Sequence, residues 1–238
     1  MVSKIGEIEA AIFDLDETLI DAQRGLEVAH EKVADLLEGF FAQKRTVVER
    51  SKLEETIRQL DDEMNRKVLY NRNTWWQKIV DQVVPGKKLA ASFVRKMTDE
   101  YWKAYEEKSL PYPDAASTLD YLKNEGYKLG LVTDDDGIVG RKGRRISRLP
   151  LKDFFDVCIV AGDEIAERKP SPLPFLVVAD RLQISPRKCV VIGDKPFTDI
   201  EGGRRAGMVT ILIVRRRWNA QVQADFEVTC LSELRTLL

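Results

Sequence analysis

Two aspartates one residue apart, Asp14 and Asp16, close the apolar run Ala10-Ala11-Ile12-Phe13. Such a run reads as a buried strand that delivers carboxylates to the rim of a sheet, where open α/β folds bind their ligands. Just past a strand end the chain turns, so the two side chains can converge on one small volume. Converging carboxylates repel unless a cation joins them, and a solvated turn is the plain alternative for the pair alone. Three later stretches repeat the design. Leu129-Gly130-Leu131-Val132 ends in Thr133 and leads into Asp134-Asp135-Asp136-Gly137, a turn whose backbone N–H groups suit an anion. Lys169 stands just before Pro170, with Pro172 set to start a helix. Val190-Val191-Ile192-Gly193 ends at Asp194, and Asp199 follows five residues on.

The elements that must position these groups alternate in a way that predicts an α/β fold. Strand-like runs are read at 127–133, 157–161, 189–193 and 209–214, with helical segments between most of them, a helix over 114–124 closed by Gly126, and a last short run at 226–229. That pattern predicts a Rossmann-like parallel sheet. Between Thr18 and Ser109 the periodicity is helical instead. Apolar stripes begin at Leu26, Leu53, Trp75 and Leu89, and Pro85-Gly86 separates the last two. They predict a four-helix bundle inserted after the first strand. The expected organisation is a core domain of residues 1–20 and 109–238 and a helical cap domain of residues 21–108.

Composition narrows the function. The 238 residues carry 38 basic and 39 acidic side chains, a net charge of −1, so no global field favours nucleic acid or an anionic membrane. Charged residues make up 32% of the chain, above the usual level of about 25%. Neither a signal-peptide apolar region nor a membrane-length apolar run is present, which predicts a cytoplasmic protein. Cys158, Cys189 and Cys230 lie in apolar strand-like runs, share no metal-ligand spacing and read as buried reduced thiols. His30 is the one histidine and falls in a helical stretch, so acid-base work passes to carboxylates or lysine. The cluster Arg141-Lys142, Arg144-Arg145 and Arg148 has no interleaved aromatics and reads as a solvated helix face.

In their order and spacing, Asp14-Leu15-Asp16-Glu17-Thr18, Thr133, Lys169-Pro170, and Gly193-Asp194 with Asp199 and Gly202-Gly203-Arg204-Arg205-Ala206-Gly207-Met208 resemble the four motifs of the haloacid dehalogenase-like hydrolase superfamily. The likeness covers nearly all of residues 8–234, and the helical insertion looks like the cap of one of its branches. The resemblance implies an aspartyl nucleophile at Asp14 and Mg2+ held by Asp14, Asp194, Asp199 and the backbone carbonyl of Asp16. It also implies that Thr133, Asp134 and Lys169 hold the phosphate. Attack by a carboxylate on a phosphoryl dianion meets repulsion of roughly 4 kcal/mol per charge pair at about 4 Å and an effective dielectric of about 20. A divalent cation and Lys169 offset it. Asp16, expected to be flanked by carboxylates and to have a raised pKa, serves as general acid and base. A second aspartate at this position marks phosphatases and mutases rather than dehalogenases.

Three positions depart from the pattern. Asp134 replaces a frequent asparagine and must turn away or pair with a base, Lys195 replaces a small polar residue, and Glu17 replaces a frequent glycine. In the cap, Arg72, Trp75 and Trp76 are candidates for substrate binding, against the plainer reading of core tryptophans and a solvated arginine. The resulting expectation is a Mg2+-dependent phosphatase of a small phosphorylated metabolite, a monomer or homodimer with no nucleic-acid or membrane partner. The alternatives are a sugar phosphomutase and a phosphate-binding protein without turnover.

Overall fold

A computed structural model describes residues 5–218 and 221–238. Six parallel strands form one sheet in the order β3-β2-β1-β4-β5-β6. They are β1 (Ala10–Phe13), β2 (Lys128–Asp134), β3 (Val157–Ala161), β4 (Cys189–Gly193), β5 (Val209–Ile213) and β6 (Phe226–Val228). β1 is central, with Ala10 opposite both Lys128 and Cys189 and Phe13 opposite Leu131 and Ile192.

Strands apolar on both sides need cover on both sides, and the side chains divide accordingly. Ala11, Phe13, Leu129, Leu131, Val190 and Ile192 face one core layer, shared with helix α5 (Ala115–Asn124) and the C-terminal helix α9 (Leu234–Leu237). Ala10, Ile12, Val132, Cys189 and Val191 face the other, shared with helix α7 (Leu173–Leu182). The short helices α6 (Arg141–Ile146) and α8 (Glu201–Arg205) follow β2 and β4. Cys189 is buried in its strand, whereas Cys158 and Cys230 are only half-buried. Cys230 lies past β6, at the start of the final turns, rather than in a strand.

The chain divides into two compact units. One comprises residues 1–21, 111–135 and 139–238 and contains the sheet; the other comprises residues 22–110 and 136–138. The second is built from α1 (Ala22–Gln43), α2 (Arg50–Arg66), α3 (Trp76–Val83) and α4 (Ala91–Lys108). Its core gathers Leu37, Phe41, Leu53, Ile57, Met97 and Tyr101 from those helices. The short segment Asp136–Ile138, which follows β2 in sequence, clusters with the helical unit because Gly137 lies against Asn71. Gly137 has φ of +74°, and a Cβ there would come within 2.3 Å of the Asn71 backbone, so both conformation and space call for glycine.

Candidate active site

The strand ends of the sheet unit bring four charged groups into contact. Asp14 leaves β1 with its N–H still bonded to the Ile192 carbonyl, 2.9 Å away, and so stays fixed to the sheet. Asp194 leaves the adjacent β4. Asp199 sits in a π-turn, Pro196–Ile200, a local irregularity common at functional sites. The carboxylates of Asp14, Asp194 and Asp199 place one oxygen each within 4.8 Å of one another. Gly193 makes room for this approach, since a Cβ there would lie 2.4 Å from Cβ of Asp199.

Lys169 comes from the loop between β3 and α7. Its Nζ donates to Oδ1 of Asp14 and Oδ1 of Asp199, both at 2.6 Å, with the side chain buried. Burial opposes its charge, yet Asp14, Asp199 and Asp134 together raise its pKa well above the ordinary lysine value. Thr18, four residues after Asp14 in the turn that starts the helical insertion, directs Oγ1 toward Oδ2 of Asp14 at 3.4 Å. Thr133 is buried at the end of β2.

Asp194 is the exception in this cluster. Both of its carboxylate oxygens are buried without a hydrogen-bond partner among the described residues. Burial raises its pKa well above the ordinary range, and Asp199, Asp14 and Glu17 add to the effect while Lys195 opposes it. Burial likewise raises the pKa of Asp14, aided by Asp199 and opposed by Lys169. Hard oxygen donors that converge, with one carboxylate left unsatisfied, fit a divalent cation such as Mg2+.

Asp134 turns to the backbone. Its Oδ1 accepts the Lys169 N–H at 3.1 Å, which ties the end of β2 to the loop that presents the lysine. Asp135 supports the same loop through Arg168, whose Nε lies 2.5 Å from Oδ2. Glu17 adopts φ of +66°, a left-handed conformation in which glycine is favoured. Lys195 is half-buried, and burial opposes its charge while Asp194, Asp14 and Asp199 raise its pKa.

The carboxylate of Asp16 has cationic partners, its oxygens accepting from Lys142 Nζ and an Arg145 guanidinium nitrogen. The basic cluster is not the uniformly solvated face expected of it. Lys142 and Arg145 are 3% and 6% exposed, while Arg144 and Arg148 point to solvent. The i, i+3 spacing of Lys142 and Arg145 was the available signal, since it places them on one side of a helix. A six-residue helix gives too little periodicity to show which side is buried.

In the helical unit, Trp75 and Trp76 are buried in the core. Their indole N–H groups bond the Leu69 carbonyl at 3.1 Å and Thr98 Oγ1 at 2.7 Å. Arg72 is buried rather than solvated. Its guanidinium stacks 3.6 Å from the Trp75 ring centroid, donates to the Tyr101 hydroxyl at 3.1 Å and lies 3.4 Å from Asp61. These contacts commit all three residues to packing within their unit.

The family pattern described as haloacid dehalogenase-like hydrolase matches residues 8–207. The chain belongs to that family. This haloacid dehalogenase-like hydrolase is 31% identical over 229 residues to the glyceraldehyde 3-phosphate phosphatase of Methanopyrus kandleri, covering 93% of each chain. It is 28% identical over 219 residues to the phosphoglycolate phosphatase of Escherichia coli K12, covering 88% of this chain and 82% of the relative. Among solved structures, a HAD phosphatase from Thermococcus onnurineus superposes with a TM-score of 0.66 at 27% identity, covering 96% of this chain and 97% of that one. The chain is accordingly a phosphoric monoester hydrolase.

Proposed function

We propose that this hydrolase is a Mg2+-dependent phosphatase of small, short-chain phosphate esters, working through an aspartyl-phosphate at Asp14. The observation that carries the proposal is the Asp14–Lys169–Asp199 contact beside the unpartnered carboxylate of Asp194. The two relatives' names, glyceraldehyde 3-phosphate phosphatase and phosphoglycolate phosphatase, support short-chain phosphate esters as the substrate class.

Asp14, Asp194 and Asp199, with the carbonyl of Asp16, would hold the cation, which when bound supplies positive charge against the phosphoryl oxygens. Asp14 Oδ2 is the oxygen we assign as nucleophile, because Lys169 engages Oδ1 and Thr18 approaches Oδ2 only at 3.4 Å. Lys169, kept cationic by its carboxylate neighbours, holds the nucleophile and offsets phosphate charge. Thr133 offers its hydroxyl to a phosphoryl oxygen. Asp16 protonates the departing alkoxide and then takes a proton from the water that cleaves the aspartyl-phosphate. The helical unit is proposed to be the cap of the phosphatase branch, with Arg72, Trp75 and Trp76 serving its structure rather than substrate contact.

The test is phosphate release from p-nitrophenyl phosphate and from short-chain phosphate esters, with Mg2+ or EDTA, for the native chain and Asp14→Asn. Turnover that needs Mg2+ and disappears with the substitution is expected. Turnover undiminished in Asp14→Asn would remove the nucleophile from this reading.

A further inference from the structure

The pair Lys142 and Arg145 needs an explanation beyond packing. Both side chains are almost fully buried in the sheet unit, and both bond the carboxylate of Asp16, Lys142 to Oδ2 and Arg145 to Oδ1. Burying a lysine and an arginine costs solvation that only anionic or strongly polar partners return. Here the shared partner is a carboxylate that lies two residues from the nucleophile and is itself partly exposed, at 19% of its side-chain surface.

If Asp16 is the acid and base of the reaction, its carboxylate must reach the oxygen that leaves phosphorus. A carboxylate clamped at both oxygens by cations has to turn out of that clamp, at least in part, to do so. Lys142 and Arg145 then lie within hydrogen-bond reach of the place Asp16 has just occupied, beside the leaving group. The seat they offer has a lysine on one side and a guanidinium on the other, which suits a planar carboxylate. Asp16 shows as much by sitting there.

The geometry points to Lys142 and Arg145 as a subsite for a carboxylate on the leaving alcohol of the substrate, which displaces Asp16 toward the ester oxygen as it binds. The inference rests on the phosphatase reading above and narrows its substrate class to phosphate esters of short hydroxy acids. It also gives the acid-base residue a substrate-dependent position. An ester with a neutral alcohol leaves Asp16 held by the two cations; one with a carboxylate releases it.

The test uses two unreactive phosphonates of similar size, 3-phosphonopropionate, which carries the carboxylate, and propylphosphonate, which does not. Calorimetric titration of the intact Mg2+-loaded protein is expected to show binding of the carboxylate-bearing compound tighter by 10-fold or more. In Lys142→Met and Arg145→Met that ratio is expected to fall to within about 3-fold of unity. Equal binding of the two phosphonates by the native protein overturns the inference whatever the variants do, and so does binding of neither. A ratio that survives in correctly folded variants overturns it as well. Hydrolysis of p-nitrophenyl phosphate by the same preparation, whose phenolate leaves without a proton from Asp16 and whose turnover is lost in Asp14→Asn, separates the two levels. If that hydrolysis persists while the ratio is absent, the subsite fails and the phosphatase reading stands; if no ester is turned over, the phosphatase reading fails.

Discussion

Asp16 and Asp14 have similar sequence surroundings and different cationic partners. Asp14 is tied to Lys169 beside two other carboxylates, whereas Asp16 is held by Lys142 and Arg145. Asp16 must leave that clamp to serve as the acid proposed above. Loss of the acid should matter in proportion to how badly the leaving group needs a proton. Asp16→Asn is therefore expected to lower kcat on phosphate esters of short hydroxy acids by roughly 10²- to 10⁴-fold. The decrease on p-nitrophenyl phosphate, whose phenolate leaves readily, should be at least tenfold smaller in steady-state assays of both substrates. An equal decrease on both would contradict the role given to Asp16. The chemistry of these residues was legible because each carboxylate, hydroxyl or lysine ends an apolar run or precedes a proline. Their pairing was not, since Asp16 finds Lys142 across 126 positions of sequence.

At the scale of elements, the site depends on how closely β4 and the π-turn after it approach. Gly193 is the tightest point: a Cβ would lie 2.4 Å from Cβ and 2.5 Å from Oδ2 of Asp199. Asp199 in turn accepts the Lys195 N–H at 3.0 Å and the Lys169 ammonium at 2.6 Å. Gly193→Ala should push this turn away from the sheet, weaken Mg2+ binding at least tenfold in calorimetric titration, and lower activity with it. Unchanged Mg2+ affinity would show that the turn has slack which the packing does not display. The strands and the long helices were readable from periodicity, with Val157–Ala161 and Cys189–Gly193 falling at the predicted bounds. The burial of Arg72 was not readable. It follows from Asp61, Trp75 and Tyr101, which reach it from α2, the start of α3 and α4. The inward face of α6 escaped for a different reason, being too short for a stripe to emerge.

For the molecule as a whole, the proposed cation would couple to folding through the carboxylate of Asp194. A buried carboxylate with a raised pKa destabilises the metal-free protein at neutral pH, because the unfolded chain ionises it in water without that penalty. Without metal, Asp194→Asn should therefore melt higher than the native protein, by a few °C for about 1 kcal/mol in a chain of this size. Mg2+ at about 100 times its Kd should stabilise the native protein by about 2.7 kcal/mol and leave the variant nearly unchanged. Thermal melts with Mg2+ and with EDTA, on both proteins, provide the comparison. A metal-free variant that melts well below the native protein would mean that Asp194 has a stabilising partner after all.

Passage of phosphate through Asp14, as proposed, can be observed on the protein itself. The native chain would be mixed with Mg2+ and a short-chain phosphate ester, quenched in acid within the first turnovers, digested, and mapped by mass spectrometry. A phosphoryl group is expected on the peptide containing Asp14, absent when EDTA replaces Mg2+ and absent in Asp14→Asn. A label on any other residue, or continued ester hydrolysis by Asp14→Asn, would contradict the proposal.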